Sequence, residues 1–234
     1  MARTKAMPKK LTSSTNSALP TNSQIPRVSQ LPVSWLAGAL ILAVPATTVF
    51  LSSLLAHNPT RTLAISLPYT IAIQSISIWS STAKSTTPTK KTAKKPARSA
   101  VSNVILALIL TVLLTPVLHI VFVLFGAPVT IGVPETFLLA AHVALLVLFP
   151  LLCTVPLDAN SWGLVFALRG PWTANYIASL GTVIGAWLGA VPIPLDWDRE
   201  WQRWPVTIVV GAYVGNAVGR IIGGALISKK HKSA

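Results

Sequence analysis

Six apolar runs, each close to the length a helix needs to cross a bilayer, constrain this 234-residue chain more than any motif does. They fall at approximately 33–56, 62–81, 101–125, 135–157, 175–191 and 205–228. A helix rises about 1.5 Å per residue, so roughly 20 residues cross the hydrocarbon core, where every backbone amide must find its partner inside the segment. Only 10% of the residues are charged and the mean hydropathy is +0.64. A soluble domain carries roughly 25% charged residues, so these runs belong in a membrane. The expected fold is all-α, a polytopic membrane bundle of about six transmembrane helices. Pro45, Pro68 and Pro116 lie inside three of the runs. Membrane helices tolerate such kinks because neighbours satisfy the freed carbonyls.

The charge pattern orients the runs. The net charge of +14 would suit nucleic acid if it covered one folded face. The Lys and Arg instead cluster between apolar runs, the pattern of topology signals, so nucleic-acid binding is not expected. Residues 1–32 hold Arg3, Lys5, Lys9, Lys10 and Arg27 with no acid and are rich in Ser, Thr and Pro. They read as a disordered basic tail rather than a cleaved signal peptide. Residues 82–100 carry six more Lys and Arg and no acid, and form a basic linker. With the N-terminus inside, fifteen of the nineteen Lys and Arg are cytosolic, against three (Arg61, Arg199, Arg203) on the far side. Positive loops are retained in the cytosol, which places both termini there. The domain plan is therefore the tail 1–32, helices one and two over 33–81, the linker 82–100, helices three to six over 101–228 and a cytosolic end at 229–234.

The most unusual stretch is 185–205, GAWLGAVPIPLDWDREWQRWP. It holds four of the chain's eight Trp (Trp187, Trp197, Trp201, Trp204) and three of its five acids (Asp196, Asp198, Glu200). Trp beside charge at the end of an apolar run marks the point where a chain leaves hydrocarbon. A short membrane-surface loop over 192–204, on the lumenal or exterior side, follows from the charge count. Pro192 and Pro194 stiffen it. Alternation of the acids in an extended segment would aim them at one face, with Arg199 and Arg203 near enough to pair with them and fix the loop. The same acids leave open a divalent-ion site and a direct substrate contact.

Glycines flank this loop at four-residue spacing: Gly181, Gly185 and Gly189 before it, and Gly211, Gly215, Gly219 and Gly223 after it. Such stripes let another helix come close where lipid gives no hydrophobic driving force. They serve either as a docking seam for a partner or as the packing surface between the fifth and sixth helices.

Catalytic patterns are missing. His57, His119, His142 and His231 are scattered, Cys153 stands alone in an apolar run, and there is no phosphate loop or nucleophile elbow. No metal site and no cofactor are expected. His119 and His142 stand at membrane depth, as functional groups or as neutral imidazoles bonded to carbonyls. Arg220, within the last run, either snorkels to the cytosolic interface or meets a lipid phosphate.

The 185–205 loop, Phe125-Gly-Ala-Pro128, Glu135-Thr-Phe-Leu138 and the glycine-spaced last helix together resemble the PIG-F family of phosphatidylinositol-glycan biosynthesis proteins. The resemblance covers approximately 100–228, and the first two helices match only in hydropathy. Position 200 departs from the animal pattern, in which Pro follows the Arg, so Glu200 is the acid least carried by it. The resemblance implies a non-catalytic endoplasmic reticulum subunit that binds and stabilises large ethanolamine-phosphate transferases (PIG-O-like and PIG-G-like) during glycosylphosphatidylinositol-anchor synthesis. It implies contact with the partner or the precursor lipid through Trp187, Pro192, Pro194, Asp196, Trp197, Asp198, Arg199, Trp201 and Trp204, and helix docking through the glycines. Lys230 and Lys232, fifth and third from the end, resemble a dilysine retrieval signal; as positive-inside anchors they equally require a cytosolic end. A substrate-handling or catalytic subunit of the same step, using Asp196, Asp198 and His142, and a lipid transporter are the alternatives.

Overall fold

The computed structural model describes residues 52–83, 100–170, 172–195 and 197–232. The tail, the first apolar run up to residue 51, most of the linker and Asp196 lie outside the described residues, as do the side chains of Lys230 and Lys232. The described residues are all-helical: α1 (Ser52–His57), α2 (Pro59–Ala83), α3 (Ala100–Leu124), α4 (Val133–Thr154), α5 (Ala159–Phe166), α6 (Ala174–Ala190) and α7 (Val206–Lys232), with a 3-10 turn at Glu200–Gln202.

Local sequence sets most of the ends. Asn58-Pro59 separates α1 from α2: the Asn58 carboxamide accepts from the Arg61 amide at 3.4 Å, and Pro59 opens the helix where its missing N–H costs nothing. Gly132 caps α4 at φ 78°, a conformation that favours glycine, and Val133-Pro134 begin the first turn. Asp158 caps α5 by accepting from the Ser161 amide at 2.8 Å. The Thr173 hydroxyl does the same for α6 through Tyr176.

Among the described residues, three helices are long and apolar enough to cross a membrane: Val101–Leu124 in α3, Val133–Thr154 as α4, and Val206–Leu226 in α7. Six spans were expected. Of the other three, the first run (33–56) lies mostly outside the described residues, α6 is only 17 residues long, and α2 carries a polar stripe of Ser66, Thr70, Gln74 and Ser77. The stripe faces inward and the apolar Ile65, Tyr69 and Ile76 face outward, the reverse of a soluble amphipathic helix. The short α5 was not expected at all; it follows α4 after the turn at Val155-Pro156.

α4 is the central helix, with 61% of its span buried against 17% for the outlying α3. It packs on α2, α3, α6 and α7. One apolar cluster, around Leu63, Leu139, Val143, Val209 and Tyr213, ties α4 to α7 and to Leu55 of α1. A second, around Phe149 and Ala107, joins α4 to α3. At the same end as α5, Tyr176 donates to the Val165 carbonyl at 2.9 Å and locks α5 onto α6.

Candidate functional site

The most extensive helix contact in the fold is the antiparallel α6–α7 hairpin, and the glycine stripes form it. Four residues forward on α6 is four residues back on α7. Gly181 faces Gly215, Gly185 faces Gly211, Gly189 faces Thr207, Gly219 faces Ile177 and Gly223 faces Ala174. A Cβ on Gly185 would stand 2.9 Å from the Gly215 Cα and closer still to the Gly211 carbonyl oxygen. The hydrogen that glycine carries there instead points at the facing carbonyl, the geometry of a Cα–H···O contact. Of the two roles open to these stripes, packing within the chain is the one seen.

The hairpin loop is closed by a residue the sequence reasoning passed over. Gln202 donates through Nε2 to the carbonyls of Pro192, at 2.7 Å, and Leu195, at 3.1 Å. Its Oε1 accepts from the amides of Trp197, at 3.1 Å, and Arg199, at 3.3 Å. A carboxamide has two donors and two acceptor sites, so one uncharged side chain ties together four backbone groups of an otherwise irregular turn. The only sequence signal was an isolated Gln among Trp and Arg.

The expected ion-paired, one-faced acidic segment is corrected here for Asp198 and Glu200, while Asp196 lies outside the described residues. Asp198, Arg199, Glu200 and Arg203 are all exposed, and among the described residues none of them forms an ion pair. The chain is not extended: Asp198 takes a left-handed φ of 49° and Glu200 starts the 3-10 turn, which breaks the alternation that would have aligned the acids. No group of three or more His, Cys, Asp or Glu that could hold a metal occurs among the described residues.

The loop tryptophans separate into an outer and an inner set. Trp187, Trp197 and Trp201 are exposed, the last two with ring centroids 5.6 Å apart. Trp204 turns inward, its indole N–H donating to Thr136 Oγ1 at 3.0 Å, and so docks the loop on the first turn of α4. Beside it Glu135 accepts from the Thr60 hydroxyl of α2, while its Oε2 is buried without a partner. Pro192 is half-buried at the loop's start and Pro194 is exposed.

Inside the bundle the polar stripe of α2 meets polar groups of α4 and α7. His142 Nδ1 lies 2.6 Å from the Tyr213 hydroxyl, which lies 2.7 Å from Thr70 Oγ1. His142 Nε2 is 3.1 Å from the Leu63 carbonyl and 3.4 Å from Ser66 Oγ. A neutral imidazole with its proton on Nε2 satisfies this set: Nε2–H donates to Leu63 and Nδ1 accepts from Tyr213. Further along, Arg220 donates to Asn216 Oδ1 at 2.9 Å, Gln74 Oε1 at 2.6 Å and Ser77 Oγ at 3.4 Å. Asn216 in turn donates to Thr182 Oγ1 at 2.8 Å. Arg220 therefore neither snorkels nor reaches a headgroup; it points into the bundle and is buried. His119, on α3, lies with its ring centroid 5.9 Å from that of Phe137, the two rings tilted by 56°, and keeps an unpartnered Nδ1.

Residues 38–224 match the family described as "GPI biosynthesis protein family Pig-F". A Neurospora crassa protein named "Glycosylphosphatidylinositol anchor biosynthesis protein 11" is 54% identical over 111 residues, 47% of this chain and 41% of that protein. A Schizosaccharomyces pombe "PIGF/3-ketodihydrosphingosine reductase fusion protein" is 32% identical over 197 residues, 81% of this chain and 37% of the relative. A Mus musculus protein named "GPI ethanolamine phosphate transferase, stabilizing subunit" is 42% identical over 110 residues, 45% of this chain and 50% of the relative. The matched stretch thus spans half or less of each of these relatives. No solved structure matches the chain. With the family match running from before α1 into the last third of α7, the chain belongs to the GPI biosynthesis protein family Pig-F.

Proposed function

We propose that this chain is a non-catalytic membrane subunit that holds and stabilises an ethanolamine phosphate transferase during GPI-anchor synthesis. The observation that carries the reading is the use of the buried polar groups. His142, Tyr213, Asn216 and Arg220 bond to neighbouring helices, so the side chains best suited to chemistry at membrane depth act as helix ties. The name of the mouse relative supplies the partner class. In this reading the chain sits in the endoplasmic reticulum membrane with both ends cytosolic, and the loop that Gln202 closes lies on the lumenal side. There its exposed Trp197 and Trp201 rest at headgroup level, beside the partner's lumenal domain or the precursor lipid.

Affinity purification of the full chain in mild detergent tests the proposal. A large polytopic transferase is expected to co-purify, and the chain purified alone is expected to transfer no phosphoethanolamine. Activity of the isolated chain would contradict it. Cysteines placed at Ser85 and Gln202 are expected to label from opposite sides of sealed microsomes, and labelling of both from one side would remove the topology.

A further inference from the structure

Arg220 is a buried charge that this chain has no acid to balance. The five acids are Glu135, Asp158, Asp196, Asp198 and Glu200. Glu135 is in the first turn of α4, the last three fall in the loop before α7, and Asp158 is exposed at the cap of α5. Residues 1–134 and 201–234 hold no acid at all, so the tail, the first apolar run and the linker bring none to it. A guanidinium stays protonated, and neutral oxygens offset a charge at membrane depth only in part. We propose that Arg220 is a docking group whose counter-ion is an aspartate or glutamate carboxylate in a membrane-spanning helix of the transferase, an inference that rests on the subunit reading above.

The hydrogen bonds leave room for that ion. An arginine has five N–H donors. Among the described residues Nε donates to Asn216 Oδ1 at 2.9 Å, Nη2 to Gln74 Oε1 at 2.6 Å and Nη1 to Ser77 Oγ at 3.4 Å. One N–H then remains on each terminal nitrogen, the pair that a carboxylate accepts with its two oxygens. The fork is held in place from behind: Asn216 donates to Thr182 Oγ1 at 2.8 Å and to the Leu146 and Ala178 carbonyls at 3.4 Å, which turns its own oxygen to Arg220. α2 and α7 both pack on α4, and Arg220 reaches across between them. Gln74 and Asn216 are buried, whereas Ser77, on the longest of the three bonds, is half-buried, and Ile76 and Ile221 beside the pair are exposed. The edge at Ser77 is therefore where another helix meets the guanidinium.

Depth selects the carboxylate over a lipid phosphate. In the span Val206–Leu226, Arg220 lies roughly 21 Å from one end and roughly 9 Å from the other at 1.5 Å per residue. Phosphates stay at headgroup level, while an acid on a spanning helix stands at whatever depth its sequence position gives it.

The test uses the full chain with its native transferase in mild detergent. Arg220→Gln removes the charge and keeps a donor for Gln74; it is expected to lower co-purified transferase at least tenfold. Arg220→Lys keeps the charge without the fork and is expected to lower it about threefold. The isolated Arg220→Gln chain is expected to melt no lower than the unsubstituted one. A side chain that only ties α2 to α7 gives the opposite signature, an isolated Arg220→Gln chain that melts lower and assembles in proportion to what stays folded. That result, or undiminished co-purification of Arg220→Gln, would overturn the proposal. On the partner, each Asp and Glu within the transferase's spans is exchanged for its amide. One exchange is expected to match the loss from Arg220→Gln and to add nothing to it. The carboxylate is overturned if no exchange does so, and restoration of the delipidated complex by added phosphatidylinositol would then assign the counter-ion to a lipid phosphate. Absence of any transferase from the unsubstituted preparation would overturn the subunit reading itself.

Discussion

Gly185 of α6 and Gly211 of α7 stand backbone to backbone, each occupying the space that a methyl group on the other would need. Gly181 and Gly215 repeat the relationship one turn further on. Two such pairs set the distance between the helices, and the rest of the hairpin follows from it.

Gly185→Ala or Gly215→Ala is accordingly expected to push the helices apart. Overpacking of this kind costs about 1 to 3 kcal/mol, and more where backbone is the obstacle. Thermal unfolding in detergent should show a clear loss for both. Gly163→Ala, on α5 where a Cβ meets nothing within 4 Å, should leave the transition unchanged and serves as the control.

The His142–Tyr213–Thr70 chain gives a second expectation. Tyr213→Phe keeps the ring and deletes the hydroxyl, which leaves His142 Nδ1 without a partner while Thr70 Oγ1 keeps the Ser66 carbonyl. The expected cost is about 1 to 3 kcal/mol, the usual penalty for a stranded buried polar group. Equilibrium unfolding against the unsubstituted protein measures it.

Arg220 invites a double-mutant test. Gln74→Leu strips the guanidinium of its shortest hydrogen bond and leaves a buried charge less compensated. A cost of about 1.5 to 3 kcal/mol is expected, as for a hydrogen bond to a charged group. Adding Arg220→Met should recover part of that loss, because the charge is gone. A double variant less stable than Gln74→Leu alone would show that Arg220 is adequately solvated without Gln74.

Asp158 supplies the pH dependence. The Ser161 amide, and after it the Ser161 hydroxyl, hold its carboxyl below the ordinary carboxylate range. A lowered folded-state value means the cap is fully present above the unfolded pKa of about 3.9 and is lost as pH falls through the lower folded value. Protection of the α5 amides, taken relative to their intrinsic exchange rate at each pH, should therefore fall on acidification below about pH 4, and Asp158→Asn should remove that dependence. Full exposure of the group keeps the effect local.

What could be read ahead of the structure was local in sequence. Apolar runs and four-residue glycine spacing depend only on neighbours along one helix, so the expected 101–125 and 175–191 lie within one residue of α3 and α6 at each end. The stripe Ser66, Thr70, Gln74 and Ser77 has helical spacing too, yet its meaning depended on His142, Tyr213 and Arg220 arriving from helices about 70 to 150 positions away. Arg220 was assigned to the interface because helix depth alone cannot say which way a side chain turns. The loop was recognised by its Trp and acids, while its fastener, Gln202, was not: four backbone partners become visible only once the turn is formed. α5 had its signal in Asp158 and Ser161 three residues apart, overlooked because eight residues are too few to register as an apolar run.

The role assigned to the chain is tested most directly by measuring phosphoethanolamine transfer per assembled complex. Gly215→Leu should lose assembly and activity together, since the substituted residue cannot fit against Gly181. Asp196→Asn should retain activity in proportion to whatever complex it forms. A preparation of Asp196→Asn that assembles fully with its transferase yet transfers nothing would place the loop in the active site and contradict a non-catalytic subunit.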